Sequence, residues 1–236
     1  MTTVDTAVLD NAAWASLHGA HARFAEVRGL AARYHPDVAP FHALADPADP
    51  QAWADLAELA GPGAEISVAG GPETAFPGWT VLNTIAGVQF VDVALRAAPD
   101  PEARTPDPEA RTLGPGDVPE MLDLVTRTRP GPFRPRTVEL GTYLGIRRGG
   151  ALVAMAGERL HPGGWTEISA VCTDPAHRGR GLATRLVRAV AAGIRDRGET
   201  PFLHTAAANS AAIQLYRSIG FELRRETVFG HYRAAP

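Results

Sequence analysis

The sequence predicts an α/β (α+β) fold, a sandwich of helices around a mixed, mostly antiparallel sheet. Three observations predict it. Some stretches repeat apolar residues at helical spacing, while others are short runs rich in Val, Ile and Thr. The two kinds of segment alternate through the second half of the chain. Gly149-Gly150 and Pro162-Gly163-Gly164 separate three consecutive strand-like runs, which is the pattern of an antiparallel meander. With 236 residues, 45% of them apolar, the chain can bury a sizeable core in one large domain or two smaller ones.

The elements follow in order. Leu9, Ala13, Leu17, Ala20, Phe24, Val27 and Leu30 recur at helix spacing and predict a helix over 8–34. Asp49 as N-cap and Gly61 as stop bound a second helix at 50–59. Strands are expected at 65–68 and 80–94, the second folding back near Ala86-Gly87. The heptad Pro-Asp-Pro-Glu-Ala-Arg-Thr occurs twice in succession from Pro99 to Thr112, as expected of an exposed segment tolerant of duplication. It places a linker at 98–108, between an N-terminal region (1–97) and a C-terminal domain (109–236). After the linker come a strand near 111–113, a helix at 117–126 and the meander at 142–147, 151–160 and 165–173. A helix at 181–197, a strand at 201–205, a helix at 210–219 and a final strand pair within 221–233 complete the series.

Composition excludes several function classes. A net charge of −3 argues against a bulk nucleic-acid binder. All basic residues are arginine, so lysine Schiff-base or general-base chemistry is impossible. The single cysteine, Cys172, rules out an internal disulfide framework. No basic-then-apolar leader opens the chain, and no apolar run reaches the ~20 residues of a membrane span. Cytoplasm is therefore the expected location, with neither membrane nor nucleic acid as partner. No H-E-x-x-H or similar spacing occurs among the eight histidines, so no metal is expected.

The informative stretch is Trp165 to Ala183, W-T-E-I-S-A-V-C-T-D-P-A-H-R-G-R-G-L-A. A strand ends at Thr173, Asp174-Pro175 turns the chain, and Arg178-Gly179-Arg180-Gly181 leads straight into a helix. Unpaired N–H groups and the positive end of the dipole gather at such a helix start, and glycines let a ligand approach the main chain. The arrangement suits a diphosphate, with Arg178, Arg180 and Arg185 adding charge. A dinucleotide fold would want G-x-G-x-x-G and a following acid, and a nucleoside-triphosphate loop would want G-K-[ST]; neither is present. A second cluster, Asn209-x-x-Ala212-x-x-x-Tyr216-x-x-x-Gly220-Phe221, lies one strand later. Its Asn209 and Tyr216 are two helical turns apart and are expected to share a face.

The two clusters together resemble the GNAT superfamily of acyl-CoA N-acyltransferases over roughly residues 110–236. That family's phosphate motif, Q/R-x-x-G-x-G/A, falls on Arg178, Gly181 and Ala183, and its N-x-x-A-x-x-x-Y-x-x-x-G-F pattern matches at every named position. The resemblance implies a sheet splayed between its fourth and fifth strands, with acetyl-CoA as cosubstrate in the gap. It implies that Val171, Cys172 and Thr173 offer backbone groups to the pantetheine arm, that amides of Gly179, Arg180, Gly181, Leu182, Ala183 and Thr184 hold the pyrophosphate, and that Asn209 helps hold the arm. Tyr216 becomes the expected proton donor to the leaving thiolate. A backbone N–H near Val171 is the expected oxyanion donor.

Glu167 is the first choice for general base, because an acid inside a half-buried strand is unusual and burial should raise its pKa. Glu158 is the rival, and either acid could instead be an exposed-face charge or a partner for Arg159 or another arginine. Cys172 reads as a buried structural thiol. His204, on the strand before Asn209, lines either the acceptor side or the core. The N-terminal region reads as a degenerate second half or a cap shaping the acceptor pocket; Trp14, Phe24, Tyr34, His35 and Phe41 either contribute apolar walls to that pocket or are simply core. The expected reaction moves an acetyl or short acyl group to a primary amine, on a small molecule or a peptide, in a ternary complex. A non-catalytic acyl-CoA sensor is the alternative. The oligomeric state, a homodimer included, is left open.

Overall fold

The computed structural model describes residues 5–74, 76–93 and 109–236. The linker 98–108 and most of the duplicated heptads fall outside the described residues. Eleven strands form one sheet: β1 (Ala25–Arg28), β2 (Ala31–Tyr34), β3 (Phe41–Leu44), β4 (Glu65–Ala69), β5 (Trp79–Asp92), β6 (Arg111–Leu113), β7 (Tyr143–Arg148), β8 (Ala151–Glu158), β9 (Trp165–Thr173), β10 (Thr200–Ala206) and β11 (Phe221–Ala234). The helices are α1 (Ala12–Leu17), α2 (Pro50–Ala60), α3 (Val118–Thr128), α4 (Leu182–Asp196) and α5 (Ser210–Ser218). Strand order is β1-β2-β3-β4-β11-β5-β10-β9-β8-β7-β6. All neighbours run antiparallel except β3/β4 and β9/β10.

The predicted C-terminal elements up to α5 are present in the expected order. The meander β7-β8-β9 turns at Gly149 and Gly150, both at positive φ, where a glycine is required. Asp49 accepts from the Gln51 N–H at 2.8 Å and starts α2, and Gly61 follows its end. Alternation along the strands sorts the core to two faces. Leu203 and Ile168 join Leu186, Val190 and Ile194 of α4 on one face. Phe202 and Trp165 turn to the other, against Leu9 and Leu17 of the N-terminal segment. Cys172 and Met155 also face away from α4, packing on Met121 and Leu124 of α3.

Three expectations are corrected. The helix over 8–34 is only a short 3-10 turn (Ala7–Asn11), α1 and a second turn (Ala22–Phe24); residues from Ala25 onward form the hairpin β1-β2. Phe24, Val27 and Leu30 mimic helix spacing, but Gly29 at φ +51 closes a turn, and Val27 points to solvent. The long run 80–94 does not fold back at Ala86-Gly87: β5 runs unbroken from Trp79 to Asp92. Gly87 stays in the strand because a Cβ there would lie 2.3 Å from the Phe229 ring. Residues 221–234 form one long strand rather than a pair, zipped along β5 with two bulges.

The position of β5 shapes everything that follows. This strand precedes the linker, yet it lies between β10 and β11, two strands that come after it. The N-terminal region therefore supplies a central strand to the sheet of the C-terminal one.

Candidate active site

Parallel pairing of β9 with β10 runs from Thr200↔Trp165 to Leu203↔Ile168 and stops there. Both strands continue past that point, β9 to Thr173 and β10 to Ala206, without further pairing to each other. The local cause sits in β9. Ala170 and Val171 stand against the single residue Ala156 in a bulge, and Ala170 holds φ +52, a conformation costly for a residue with a Cβ. The bulge turns the β9 main chain at the point where β10 leaves it.

Beyond Thr173 the chain enters the loop singled out in the sequence. Asp174 accepts from the Ala176 N–H at 2.9 Å and pairs with Arg127, fixing the turn. Gly179 (φ +74) and Gly181 (φ +72) take left-handed conformations, and a Cβ at either would meet nothing within 4 Å. The loop is thus open, and α4 begins at its end with Gly181 as N-cap. Arg178 and Arg180 are exposed; Arg178 donates to the Thr173 carbonyl at 3.2 Å, curling its charge over the turn. Open main chain, a fifteen-residue helix presenting its N-terminus and two exposed arginines fit the diphosphate of coenzyme A.

The other predicted residues are placed as follows. Leu182 is buried at the start of α4, and Ala183 and Thr184 are half-buried. Val171 packs toward α4, whereas the Cys172 side chain faces α3, where burial pushes its thiol up to about 11. That suits an inert structural thiol. Asn209 is an exposed N-cap, its Oδ1 accepting from the Ala212 N–H at 3.1 Å. Tyr216, seven residues on, is buried between Phe90 and Phe221 with ring centroids 6.3 and 6.2 Å away. Burial pushes the Tyr216 phenol up to about 12, so it keeps its proton at neutral pH. Tyr216 and Leu182 belong to one apolar cluster, which puts the phenol on the α4 side of the sheet.

Glu167 departs from expectation. It is fully buried, and desolvation does raise its pKa, but Arg159 and His204 outweigh this and hold the carboxyl at about 2. Arg159 grips it through two nitrogens, Nη2 at 2.6 Å from Oε1 and Nε at 2.8 Å from Oε2. His204 Nδ1 lies 2.7 Å from the same Oε1. A carboxylate so paired cannot take a proton near neutral pH unaided. Glu158 is turned elsewhere: Oε2 accepts from the Thr142 N–H at 3.1 Å and Oε1 from Arg197 at 3.0 Å.

His204 is what the sequence left ambiguous. It lines a small cavity of about 40 Å³ on the sheet face away from α4, together with Asp10, His42, Gln89 and Arg225. Burial holds the His42 ring down at about 4, so that ring is neutral at physiological pH. Gln89, on β5, stands directly opposite His204 in the ladder. No sequence spacing connects 10, 42, 89 and 204; the insertion of β5 beside β10 brings 89 and 204 together, and the N-terminal turn and β3 add 10 and 42.

Comparison with known proteins identifies the fold and the family. Residues 143–230 match the family described as FR47-like protein. A GNAT-family structure from Novosphingobium aromaticivorans DSM 12444 is 37% identical, with a TM-score of 0.86 over 97% of this chain and 99% of that one. The chain belongs to the GNAT acetyltransferase family. It is also 41% identical over 83 residues to the N-alpha-acetyltransferase RimI of Mycobacterium tuberculosis, a match that covers 34% of this chain and about half, 51%, of that protein. A GCN5-related N-acetyltransferase from Kribbella flavida, 18% identical with a TM-score of 0.61 over 96% of each chain, shares the fold. Among the described residues no helix is long and apolar enough to cross a membrane.

Proposed function

We propose that this protein transfers an acetyl or other short acyl group from acyl-CoA to a primary amine, by direct attack within a ternary complex. The observation that carries the reading is the end of the β9–β10 ladder at Leu203↔Ile168. An open glycine loop before α4 follows β9, and a cavity beside His204 lies on the face away from α4, which supports an acyl-CoA on one side and an amine on the other. The two reactants can enter from opposite faces and meet between the strands.

Acyl transfer to an amine needs three services from the chain. The incoming ammonium must lose a proton, the tetrahedral oxyanion must be held, and the thiolate must leave protonated. Tyr216, protonated at neutral pH, suits the last role. The bulged backbone at Ala170 and Val171 offers N–H groups for the oxyanion. Amides from Gly179 to Thr184 and the guanidinium groups of Arg178 and Arg180 would hold the diphosphate, with the backbone of Val171 to Thr173 along the pantetheine. The name of the RimI relative points to an α-amine as acceptor, on a peptide or a small molecule. The neutralised Glu167 favours a second reading, an acyl-CoA sensor without turnover.

A thiol-release assay with acetyl-CoA against a panel of peptides and small amines separates the two. Amine-dependent release of coenzyme A supports the transferase. Tight acetyl-CoA binding with no release for any amine supports the sensor, and absence of binding refutes both.

A further inference from the structure

We propose that His204 is the group that takes the proton from the acceptor ammonium, with Glu167 as its orienting carboxylate and Gln89, from the N-terminal region, setting its tautomer. The inference rests on the transferase reading above.

The hydrogen bonds leave one consistent assignment. Glu167 is a carboxylate and only accepts, so His204 Nδ1, 2.7 Å away, carries a hydrogen and donates it. Gln89 has a determined orientation. Its Oε1 accepts from Arg224 Nη1 at 2.8 Å, and its Nε2 donates to the Leu9 carbonyl at 2.9 Å. The remaining N–H of that amide therefore points at His204 Nε2, 3.0 Å away. A nitrogen that receives a hydrogen bond there is unprotonated. His204 is held as the neutral Nδ1–H imidazole with its lone pair on Nε2, and the residue lines the cavity.

The ring plane is fixed as well. Phe202 and Phe229 meet the imidazole edge to face, with centroids 5.7 and 5.8 Å away. Arg224 reaches Gln89 because it is the extra residue of a bulge in β11, between Leu223 and Arg225, and its Nη2 is anchored on Asp10 at 2.7 Å. Polar contacts thus run unbroken from Asp10 through Arg224, Gln89, His204 and Glu167 to Arg159. The end of this chain that reaches solvent belongs to the N-terminal region. The same logic of an acid orienting an imidazole whose far nitrogen does the proton transfer operates in serine hydrolases.

In the step itself, the acceptor's ammonium N–H takes the seat that the Gln89 N–H occupies at Nε2, while the other amide hydrogen stays on Leu9. One proton passes from the ammonium to Nε2, giving imidazolium facing the Glu167 carboxylate. The freed nitrogen lone pair forms the C–N bond to the thioester carbon, and the C–S pair leaves with sulfur. The thiolate takes the Tyr216 proton, the new amide nitrogen gives up its extra proton to restore the phenol, and the imidazolium proton passes to solvent.

Two measurements test the proposal. Nitrogen-15 NMR of histidine-labelled protein, with the His204 signal assigned through His204→Gln, is expected to report a protonated Nδ1 and a bare Nε2 at neutral pH. The opposite tautomer, or a charged ring, overturns it. In the thiol-release assay, using the panel amine that wild type acylates fastest, His204→Gln is expected to lower kcat by about 100-fold and leave the KM for acetyl-CoA within about twofold. Added imidazole is expected to restore part of the rate in His204→Ala, which a packing role would not allow. Wild-type kcat in His204→Gln overturns the assignment and leaves the transferase reading standing. No transfer by wild type sinks both.

Discussion

Removing Arg159 while leaving Glu167 in place is the sharpest test of how the site is held. Glu167 is fully buried, and two of its close contacts are guanidinium nitrogens at 2.6 and 2.8 Å. Arg159→Met keeps the side-chain volume and strands the carboxylate without its guanidinium partner, beside His204. Breaking a buried pair in this way costs roughly 3–5 kcal/mol. With a urea m-value of roughly 2–3 kcal/mol/M for a chain of this size, the unfolding midpoint is expected to fall by roughly 1–2 M. Arg159→Met/Glu167→Gln removes both charges and is expected to recover a large part of that loss, a coupling of about 2 kcal/mol or more. The pH dependence follows from the same pair. The Glu167 carboxyl drops from its ordinary 4.5 to about 2 on folding, which corresponds to about 3 kcal/mol. A depressed carboxylate stabilises the fold above its unfolded pKa and loses that contribution as pH falls through the folded one. The stability gap between wild type and Glu167→Gln should therefore narrow from pH 5 toward pH 2. A midpoint unmoved in Arg159→Met, or a gap constant across that window, would refute the reasoning.

Other outcomes follow from the same geometry. Gly181→Glu puts a carboxylate against the diphosphate and is expected to weaken coenzyme A binding about 100-fold or more by calorimetry, with Gly181→Ala as control for the strained φ. Retained affinity would dismiss the cradle. Tyr216→Phe is expected to lower kcat about 100-fold, the coenzyme A dissociation constant moving less than about twofold; an unchanged rate removes the phenol from the mechanism. Gly87→Val drives a side chain into the Phe229 ring and is expected to destabilise by roughly 1–3 kcal/mol in a thermal melt. In a Phe229→Ala background the same substitution should cost little, and an equal loss there would show that the clash is not the cause.

Much of the fold was legible because its signals are local. Glycines 149 and 150 turn a meander whatever lies around them, and Asp49 with Gly61 bounds α2 by capping alone. The cradle is contiguous from Asp174 to Thr184, and its chemistry comes from backbone conformation and a helix end, which sequence encodes directly. Where local signals were degenerate, tertiary pairing decided. Phe24, Val27 and Leu30 fit a helix as well as a hairpin, and strand pairing between Ala25 and Tyr34 settled it. Gly87 looked like a turn until a ring across the sheet explained its missing Cβ.

The amino-acid sequence alone determined the glycine-rich loop leading into α4, the alternation of strands and helices, and the family, since each depends on residues close together in the chain. Only the tertiary structure decided how the proton chemistry is wired. Burial by itself would have made Glu167 a weak acid; Arg159 and His204, brought within hydrogen-bonding distance, made it a strong one. His204 acquired its tautomer from Gln89, a residue 115 positions away that reaches it because β5 slots in beside β10. Charge and hydrogen bonding act through space at a few ångströms, so a group's protonation belongs to its neighbours in the fold and not to its neighbours in the chain.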